Sequence, residues 1–249
     1  MNLILLESDE VQANSTARLS GPRAVHIRTV LRSAVGDGIR IGIIDGLGGR
    51  GIVTSVGDRD VELACTFDVV PPSRPAVDLL LAVPRPKVLR RLWAQLAALG
   101  VGRIMLTNAA RVERHYFDTH VLTAACYRPL LIEGLQQARD THLPCVSVHR
   151  QFRVLVEDEL DAWCPGRGRV VADPGSERLL SDAVRRCKGE RVLLAVGPEG
   201  GWNGFELALL ESRGFVPAAL GPRALRSDTA CVAILAVAHD ARRSSPPQL

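Results

Sequence analysis

The run Val192–Val196 (VLLAV), followed at once by Gly197–Gly201 (GPEGG), places a glycine-rich turn directly after a strand-like apolar segment. A second run, Ala218–Gly221 (AALG), leads into Leu225–Ala230 (LRSDTA). In α/β proteins, ligands bind at the loops that follow the carboxyl ends of strands. Two such loops close together in sequence therefore predict one small-molecule site, lined largely by backbone atoms.

The GPEGG turn has the composition of a loop that touches a ligand closely. Its glycines lack a Cβ and allow a close approach of the backbone, while Pro198 stiffens the turn. Asn203 followed by Glu206 has the spacing of a capping box, which predicts a helix that begins directly after the loop. The alternative is a tight strand-to-helix connection that binds nothing.

The second loop opens a helix that is apolar almost all round over Ala230–Ala238. Such a helix is typical of a core or an interface. Arg226 and Thr229 stand at its start, where a polar group is costly unless something pairs with it. Arg226 is therefore a candidate functional residue, and an ion pair with Glu199 or Asp228 is the structural alternative.

The two motifs together, GPEGG and LG-x-x-x-LR-[ST]-[DE]-TA separated by a helix, resemble the RsmE-type family of SPOUT methyltransferases. The likeness extends to Leu96–Val101 (LAALGV), Glu133–Gln137 (EGLQQ) and His26–Arg32 (HIRTVLR), and so covers nearly the whole chain. It implies an enzyme that methylates N3 of a uridine in small-subunit (16S) ribosomal RNA. The cofactor would be S-adenosylmethionine, held in a trefoil-knotted C-terminal region.

Particular residues acquire expected roles from this resemblance. Arg226 is the candidate for stabilising negative charge on the uracil carbonyl oxygens, because a guanidinium is a fixed fork of donors. Glu199 is expected to orient Arg226 or the base, and no side chain stands out as a general base. The residues expected to bind the cofactor are Gly197, Pro198, Gly200, Gly201, Leu220, Gly221, Leu225, Thr229 and Ala230.

Two basic segments are candidate RNA contacts. His26, Arg28 and Arg32 lie in a segment with a helical pattern, in which Arg28 and Arg32 have i,i+4 spacing, and the resemblance assigns this segment to a PUA-like domain that helps to grip RNA. Arg85 and Lys87 belong to the densest basic cluster of the chain. A solvated charged surface is the alternative for both.

Composition constrains the function only loosely. The formal net charge of +4 and the pI near 8.9 permit RNA binding without requiring it. The six cysteines show no C-x-x-C pair, which indicates a reducing compartment rather than disulfides or a metal site. Because Glu7 ends the apolar N-terminal run, we expect neither a signal peptide nor a membrane span, and a cytoplasmic location.

The pattern of apolar residues changes at a proline-rich segment, 71–75. Before it, short runs separated by Gly and Asp predict a small all-β domain with one helical turn at 21–31. Gly46–Gly51 is formally G-x-G-x-x-G, but the β-branched run that follows favours a hairpin over a dinucleotide-binding loop.

After the proline-rich segment, strand candidates alternate with helix candidates, which predicts a mostly parallel sheet with helices on both faces. The expected strands are 77–83, 101–107, 145–149, 169–172, 192–196 and 216–220. The expected helices are 87–99, 119–138, 152–163, 176–187, 203–212 and 228–240.

The predicted fold class is thus α/β. A PUA-like β-barrel RNA-binding domain over 1–70 would precede a SPOUT methyltransferase domain over 77–249, whose mostly parallel sheet carries the C-terminal trefoil knot that the resemblance implies. The long apolar helix and the resemblance both favour a homodimer.

The leading hypothesis is a uridine-N3 methyltransferase whose substrate is small-subunit rRNA in an assembled or assembling 30S subunit. A SPOUT enzyme that acts on another RNA or at a ribose 2′-O remains an alternative. A non-catalytic RNA-binding or ribosome-assembly protein is the other.

Overall fold

The computed structural model describes residues 3–166, 168–223 and 225–243. The chain divides into two compact units. The first comprises the residues up to Ser73 together with Ile132–Leu143, and the second comprises Arg74–Leu131 and the chain from Pro144 onward. The division at Ser73 falls inside the proline-rich segment.

The first unit is built on a five-stranded sheet with the strand order β1-β3-β4-β5-β2. Only β1 and β3 pair in parallel; the other pairs are antiparallel. The short apolar runs at 39–44, 51–56 and 61–65 predict β3 to β5, whereas β1 and β2 were not predicted. The strands are β1 (Ile4–Leu6), β2 (Thr16–Ser20), β3 (Gly38–Ile43), β4 (Gly48–Val56) and β5 (Asp60–Val69).

Alternate residues of these strands form the core of the first unit. Ile39 and Ile41 on β3, Val53 on β4 and Val61 and Leu63 on β5 are buried, whereas the residues between them are more exposed. This alternation is typical of a sheet that packs on one face. The Gly46–Gly51 stretch runs from the turn into β4, so it forms the predicted hairpin.

A short helix, α1 (Gly21–Val25), continues as a π-helical turn over His26–Val30. The Leu31 amide donates to the His26 carbonyl oxygen at 3.0 Å, which widens the last turn. Arg32 follows with a φ of 53° and therefore lies beyond the end of the helix. The expectation that Arg28 and Arg32 share one helical face is wrong, because the helix ends before Arg32, whose own backbone is left-handed.

The segment Ile132–Leu143 belongs to the first unit, although it lies between parts of the second in sequence. The Asp45 amide donates to the Thr141 carbonyl oxygen at 2.8 Å, and the Thr141 hydroxyl donates to the Gly46 carbonyl oxygen at 2.8 Å. These bonds join the segment to the turn between β3 and β4. The expected domain over 77–249 ran through this segment without a break.

The second unit contains a six-stranded sheet with the order β11-β9-β10-β6-β7-β8, in which every neighbouring pair is parallel. The central strands β6 and β10 are buried along their whole length, as in a sheet covered on both faces. The predicted α/β class and mostly parallel sheet are confirmed. The strands are β6 (Val77–Ala82), β7 (Arg103–Thr107), β8 (Cys145–His149), β9 (Gly168–Ala172), β10 (Val192–Val196) and β11 (Phe215–Ala218).

The helices of the chain follow the predicted alternation closely, with differences at their ends. The segment 152–163 is helical throughout, with a π-helical stretch over Leu155–Glu159 between α4 and α5. Three short 3-10 turns cover Ser8–Glu10, Arg114–Asp118 and His120–Leu122. The remaining helices are α2 (Pro86–Leu99), α3 (Ala124–Ala138), α4 (Phe152–Val154), α5 (Leu160–Trp163), α6 (Leu180–Arg186), α7 (Gly204–Ser212) and α8 (Ser227–Arg243).

The long C-terminal helix α8 is buried along one side only. Cys231, Ile234, Leu235 and Ala238 are inaccessible, whereas Ala236 is exposed and the apolar residues beside it are half-buried. Burial raises the pKa of the Cys231 thiol to about 12, so this cysteine serves as a small apolar core residue. Within a single chain, α8 is therefore not enclosed all round.

No helix in the described part of the chain is long and apolar enough to cross a membrane.

Candidate functional site

The three strands β11, β9 and β10 lie side by side, so the loops that follow their carboxyl ends meet at one edge of the sheet. A groove of about 370 Å³ opens there, between the start of α8 and the loops after β9 and β10. Its lining residues are Ala172, Asp173, Pro174, Gly175, Val196, Gly197, Pro198, Glu199, Gly200, Gly201, Trp202, Leu207, Leu225, Ser227 and Ala230.

A smaller cavity of about 70 Å³ extends the groove toward the loop that follows β11. Leu220 and Gly221 line it, and it shares Leu225 and Ala230 with the groove. Gly221 has a φ of 142°, a backbone conformation that side chains with a Cβ rarely adopt. The two loops predicted from the sequence therefore lie at one continuous site.

Each glycine of the GPEGG turn meets a different environment. A Cβ on Gly197 would lie 3.2 Å from the indole nitrogen of Trp202, and one on Gly200 would lie 2.8 Å from Cδ of Arg111. Gly201 has a φ of 72° and open space where a Cβ would stand. A side chain at Gly201 would thus strain the backbone, and it would extend into open space without touching a neighbour in the described chain.

Hydrogen bonds at the start of α7 hold the GPEGG turn in place. The Asn203 side chain accepts from the Glu206 amide at 2.8 Å, and the Glu206 carboxylate accepts from the Asn203 amide at 2.8 Å, which confirms the predicted capping box. The buried Glu206 carboxylate also accepts from the Ala110 amide at 2.6 Å. These charge-assisted bonds tie the loop after β10 to the loop after β7.

A second cavity, which we term the side cavity, adjoins the groove and has a volume of about 250 Å³. Glu199 and Ser227 line both spaces and so stand at their junction. The side cavity is lined by Arg85, Val88, Arg91, Glu199, Arg226, Ser227 and Asp228.

The charged groups of the side cavity are paired in an unexpected way. Asp228 accepts from Arg91 at 3.2 Å, and Glu199 accepts from the backbone amide of Arg85 at 3.3 Å. The structural alternative for Arg226 required one of these two carboxylates. The Arg226 guanidinium is exposed and makes no hydrogen bond or ion pair with residues in the described ranges.

Two buried polar atoms at the groove have no hydrogen-bond partner in the described part of the chain. They are Nε1 of Trp202 and Oγ of Ser227. The Trp202 ring is held against Phe152, with 5.3 Å between ring centroids. A buried donor without an acceptor costs about 1–3 kcal/mol, so both atoms indicate a site that a polar ligand completes.

The structure brings most of the expected site residues together. Glu199 and Arg226 line the side cavity, and the expected cofactor-binding residues line the groove or its extension, with one exception. Thr229 is exposed and lines none of the three spaces; its amide donates to its neighbour Asp228 at 2.9 Å. Its place at the helix start predicts a cofactor contact, but its side chain lies on the solvent side.

The expected RNA contacts fall in two places. Arg85 lines the side cavity, whereas Lys87 lies exposed on the first turn of α2, outside the side cavity's lining. His26, Arg28 and Arg32 belong to the first unit. Arg28 donates to the Asp58 carbonyl oxygen, and burial lowers the pKa of His26 below its ordinary value.

Eight residues that line the groove were not expected. They are Ala172, Asp173, Pro174 and Gly175, at the end of β9 and in the loop after it, and Val196, Trp202, Leu207 and Ser227. The strand before Asp173 was predicted, so the rule that led to the other two loops also applied to this one. Among the described residues, no group of three or more His, Cys, Asp or Glu side chains could hold a metal ion.

A parallel sheet whose strand-end loops form a groove is typical of α/β domains that bind a ligand. The sequence also identifies the family to which this domain belongs. Residues 71–239 match the model of the RNA methyltransferase domain family, and the chain belongs to that family.

Individual relatives are similar over nearly their whole length. A protein of Treponema pallidum named ribosomal RNA small subunit methyltransferase E is 29% identical over 99% of this chain and 95% of its own length. A protein of the same name from Neisseria gonorrhoeae, solved bound to S-adenosylmethionine, superposes with a TM-score of 0.79 at 20% identity, over 96% of this chain and 97% of that one.

Proposed function

We propose that this protein is an S-adenosylmethionine-dependent methyltransferase that modifies N3 of a uridine in small-subunit ribosomal RNA. Its family, the names of its relatives and the motifs GPEGG and LRSDTA support this function. The observation that carries it is the groove at the carboxyl ends of β9 to β11. That groove opens into a cavity lined by three arginines.

The groove fits S-adenosylmethionine in size and chemistry. Its volume of about 370 Å³ lies in the range of small-molecule sites, which are mostly apolar with a few polar groups. Backbone atoms of the glycine turns approach the ligand from two sides, and the buried indole N–H of Trp202 is a donor in need of an acceptor. When bound, this cofactor supplies a methyl group activated by its sulfonium.

The side cavity supplies what the acceptor base needs. Uridine N3 loses its proton before or during methyl transfer, and until the methyl bond forms the negative charge spreads to the carbonyl oxygens. A guanidinium aimed at these oxygens stabilises that charge, and Arg226 has no competing partner in the described chain. Glu199, at the junction of the two spaces, orients the base or Arg226.

Several finer features belong to the same proposal. The C-terminal half of the second unit forms a trefoil knot, and the five-stranded first unit acts as a PUA-like RNA-binding barrel through His26, Arg28 and Arg32, with Arg85 and Lys87 adding phosphate contacts. The partly uncovered α8 lies at the interface of a homodimer. The enzyme works in the cytoplasm on an assembled or assembling 30S subunit.

Mass spectrometry of ribosomal RNA nucleosides tests this function. A strain that lacks the gene should lose 3-methyluridine from its small-subunit RNA, and the wild-type gene should restore it. Loss of a 2′-O-methylated nucleoside instead would identify another SPOUT reaction. If the modified nucleosides are unchanged in small-subunit RNA and in the other RNAs of the cell, the non-catalytic alternative is favoured.

A further inference from the structure

Ser227 is the first residue of α8, and its buried hydroxyl lacks the hydrogen bond that such groups usually make. The residue is 5% exposed, and its Oγ has no hydrogen-bond partner within the described ranges. Ser227 lines both the groove and the side cavity, as does Glu199. The unpaired hydroxyl therefore stands at the place where a molecule in one space would meet a molecule in the other.

The size and charge of the side cavity suit a small, negatively charged group. A water molecule occupies about 30 Å³ of liquid, so a cavity of about 250 Å³ has room for an aromatic ring of one cycle. Arg85, Arg91 and Arg226 line it, against the carboxylates of Glu199 and Asp228, which leaves a net charge of +1. The amino end of α8, a helix of 17 residues, adds a partial positive charge.

From this arrangement we propose that the side cavity is the acceptor-base pocket and that the Ser227 hydroxyl donates a hydrogen bond to a uracil carbonyl oxygen. The inference rests on the proposed function and adds to it the position of the base and a second donor. Arg226 contacts the other carbonyl oxygen. Arg85 and Arg91, whose side chains are exposed at the rim, hold the flanking phosphate.

Two donors on the carbonyl oxygens stabilise the base after its N3 proton has passed to water. The N3 electron pair then forms the bond to the methyl carbon, the carbon–sulfur bond breaks, and its electron pair remains on sulfur as a neutral thioether. In this scheme the pocket lowers the pKa of the bound uracil, since hydrogen bonds to a charged form favour that form. No side-chain general base is required.

The test compares wild-type enzyme with Ser227→Ala in single-turnover methylation at saturating cofactor. The substrates are small subunits reconstituted from RNA transcribed with either uridine or 5-fluorouridine, whose N3 proton is more acidic. Loss of a neutral donor should lower the rate about tenfold near neutral pH with uridine. The loss should shrink as the pH rises and in the 5-fluorouridine subunits, because both changes ionise the base without help from Ser227.

Cofactor affinity, measured by calorimetry, provides a readout apart from activity and should be the same in both proteins. Ser227→Cys, which is slightly larger than serine and keeps a weaker donor, should give an intermediate rate. It serves in place of Ser227→Ala should that variant fail to fold. A wild-type rate in Ser227→Ala would overturn the inference. So would an equal loss at every pH with both bases, or a loss of cofactor affinity. If the wild-type enzyme forms no 3-methyluridine, the proposed function itself fails.

Discussion

Two parts of the second unit differ in whether their polar side chains have hydrogen-bond partners. On the edge strand β8, His149 uses both ring nitrogens: Nδ1 lies 2.8 Å from Oε2 of Glu159, and Nε2 lies 2.8 Å from Oγ of Ser147. At the groove, the Trp202 indole nitrogen and the Ser227 hydroxyl have no partner in the described chain.

The residue types alone would point to the wrong place. Ser147, His149 and Glu159 have the chemical identities of a catalytic triad, but none of them lines the groove, its extension or the side cavity. Unpaired donors beside a cavity need a partner from outside. Unpaired buried atoms also occur elsewhere in the described chain, at His26, Thr107, Asn108 and Arg169, which line none of these spaces. An unpaired donor therefore indicates a ligand site only where it also borders a cavity.

The largest change in methylation rate is expected from Arg226→Ala. Removing a guanidinium that stabilises developing charge should lower the single-turnover methylation rate by about a hundredfold or more, with cofactor affinity and melting temperature unchanged. Arg226→Lys should recover little, because an ammonium does not reproduce a planar fork.

Arg185→Ala is the matched control, since that exposed arginine pairs only with Asp182 among the described residues. It should methylate at the wild-type rate. A fall in melting temperature together with cofactor affinity in Arg226→Ala would instead identify Arg226 as a structural residue.

A smaller effect is expected from Trp202→Phe, which keeps a ring against Phe152 and removes one N–H. If that N–H binds the cofactor, S-adenosylmethionine affinity should fall about tenfold in a calorimetric titration. The stability of the free protein should fall only by the packing that the smaller ring loses, because no internal hydrogen bond is lost.

Trp93→Phe provides the opposite case. The Trp93 indole nitrogen donates to the Val121 carbonyl oxygen at 3.2 Å. This variant should therefore lose about 1–2 kcal/mol more than Trp202→Phe in the free energy of unfolding and none of its cofactor affinity. If both variants behaved alike, the distinction between satisfied and unsatisfied donors would not hold.

The smallest effect is expected from Ser147→Ala. It removes one hydrogen bond to a half-buried histidine, which should cost about 1 kcal/mol in the free energy of unfolding by denaturant titration. Methylation should proceed at the wild-type rate. A marked loss of activity would mean that the β8 network takes part in catalysis.

Local patterns in the sequence were enough to predict much of this structure. The alternation of apolar runs predicted the parallel strands, and the spacing of Asn203 and Glu206 predicted where α7 begins, because a capping box depends only on neighbouring residues. The two glycine-rich turns predicted the site because strand-end loops meet in a parallel sheet.

Features that depend on distant residues were not predicted. The side cavity combines Arg85, Glu199 and Arg226, which only the strand order brings together. The pairing of Asp228 with Arg91 joins positions on two helices, α8 and α2, and no local spacing indicates it. The exposed position of Thr229 depends on how α8 is rotated, which the apolar pattern of a nearly all-apolar helix does not determine.

A calorimetric titration of Gly201→Val beside Gly214→Val decides whether the groove at the ends of β9 to β11 binds S-adenosylmethionine. Both glycines have a positive φ, 72° and 80°, and open space where a Cβ would stand. Gly201 lines the groove at the carboxyl ends of the strands. Gly214 directly precedes β11 and so lies at the amino ends of the strands. The two variants therefore carry similar backbone strain.

We predict that wild-type protein and Gly214→Val bind S-adenosylmethionine with equal affinity and that Gly201→Val shows no binding. Gly201→Val that binds the cofactor as the wild type does would contradict this location of the site.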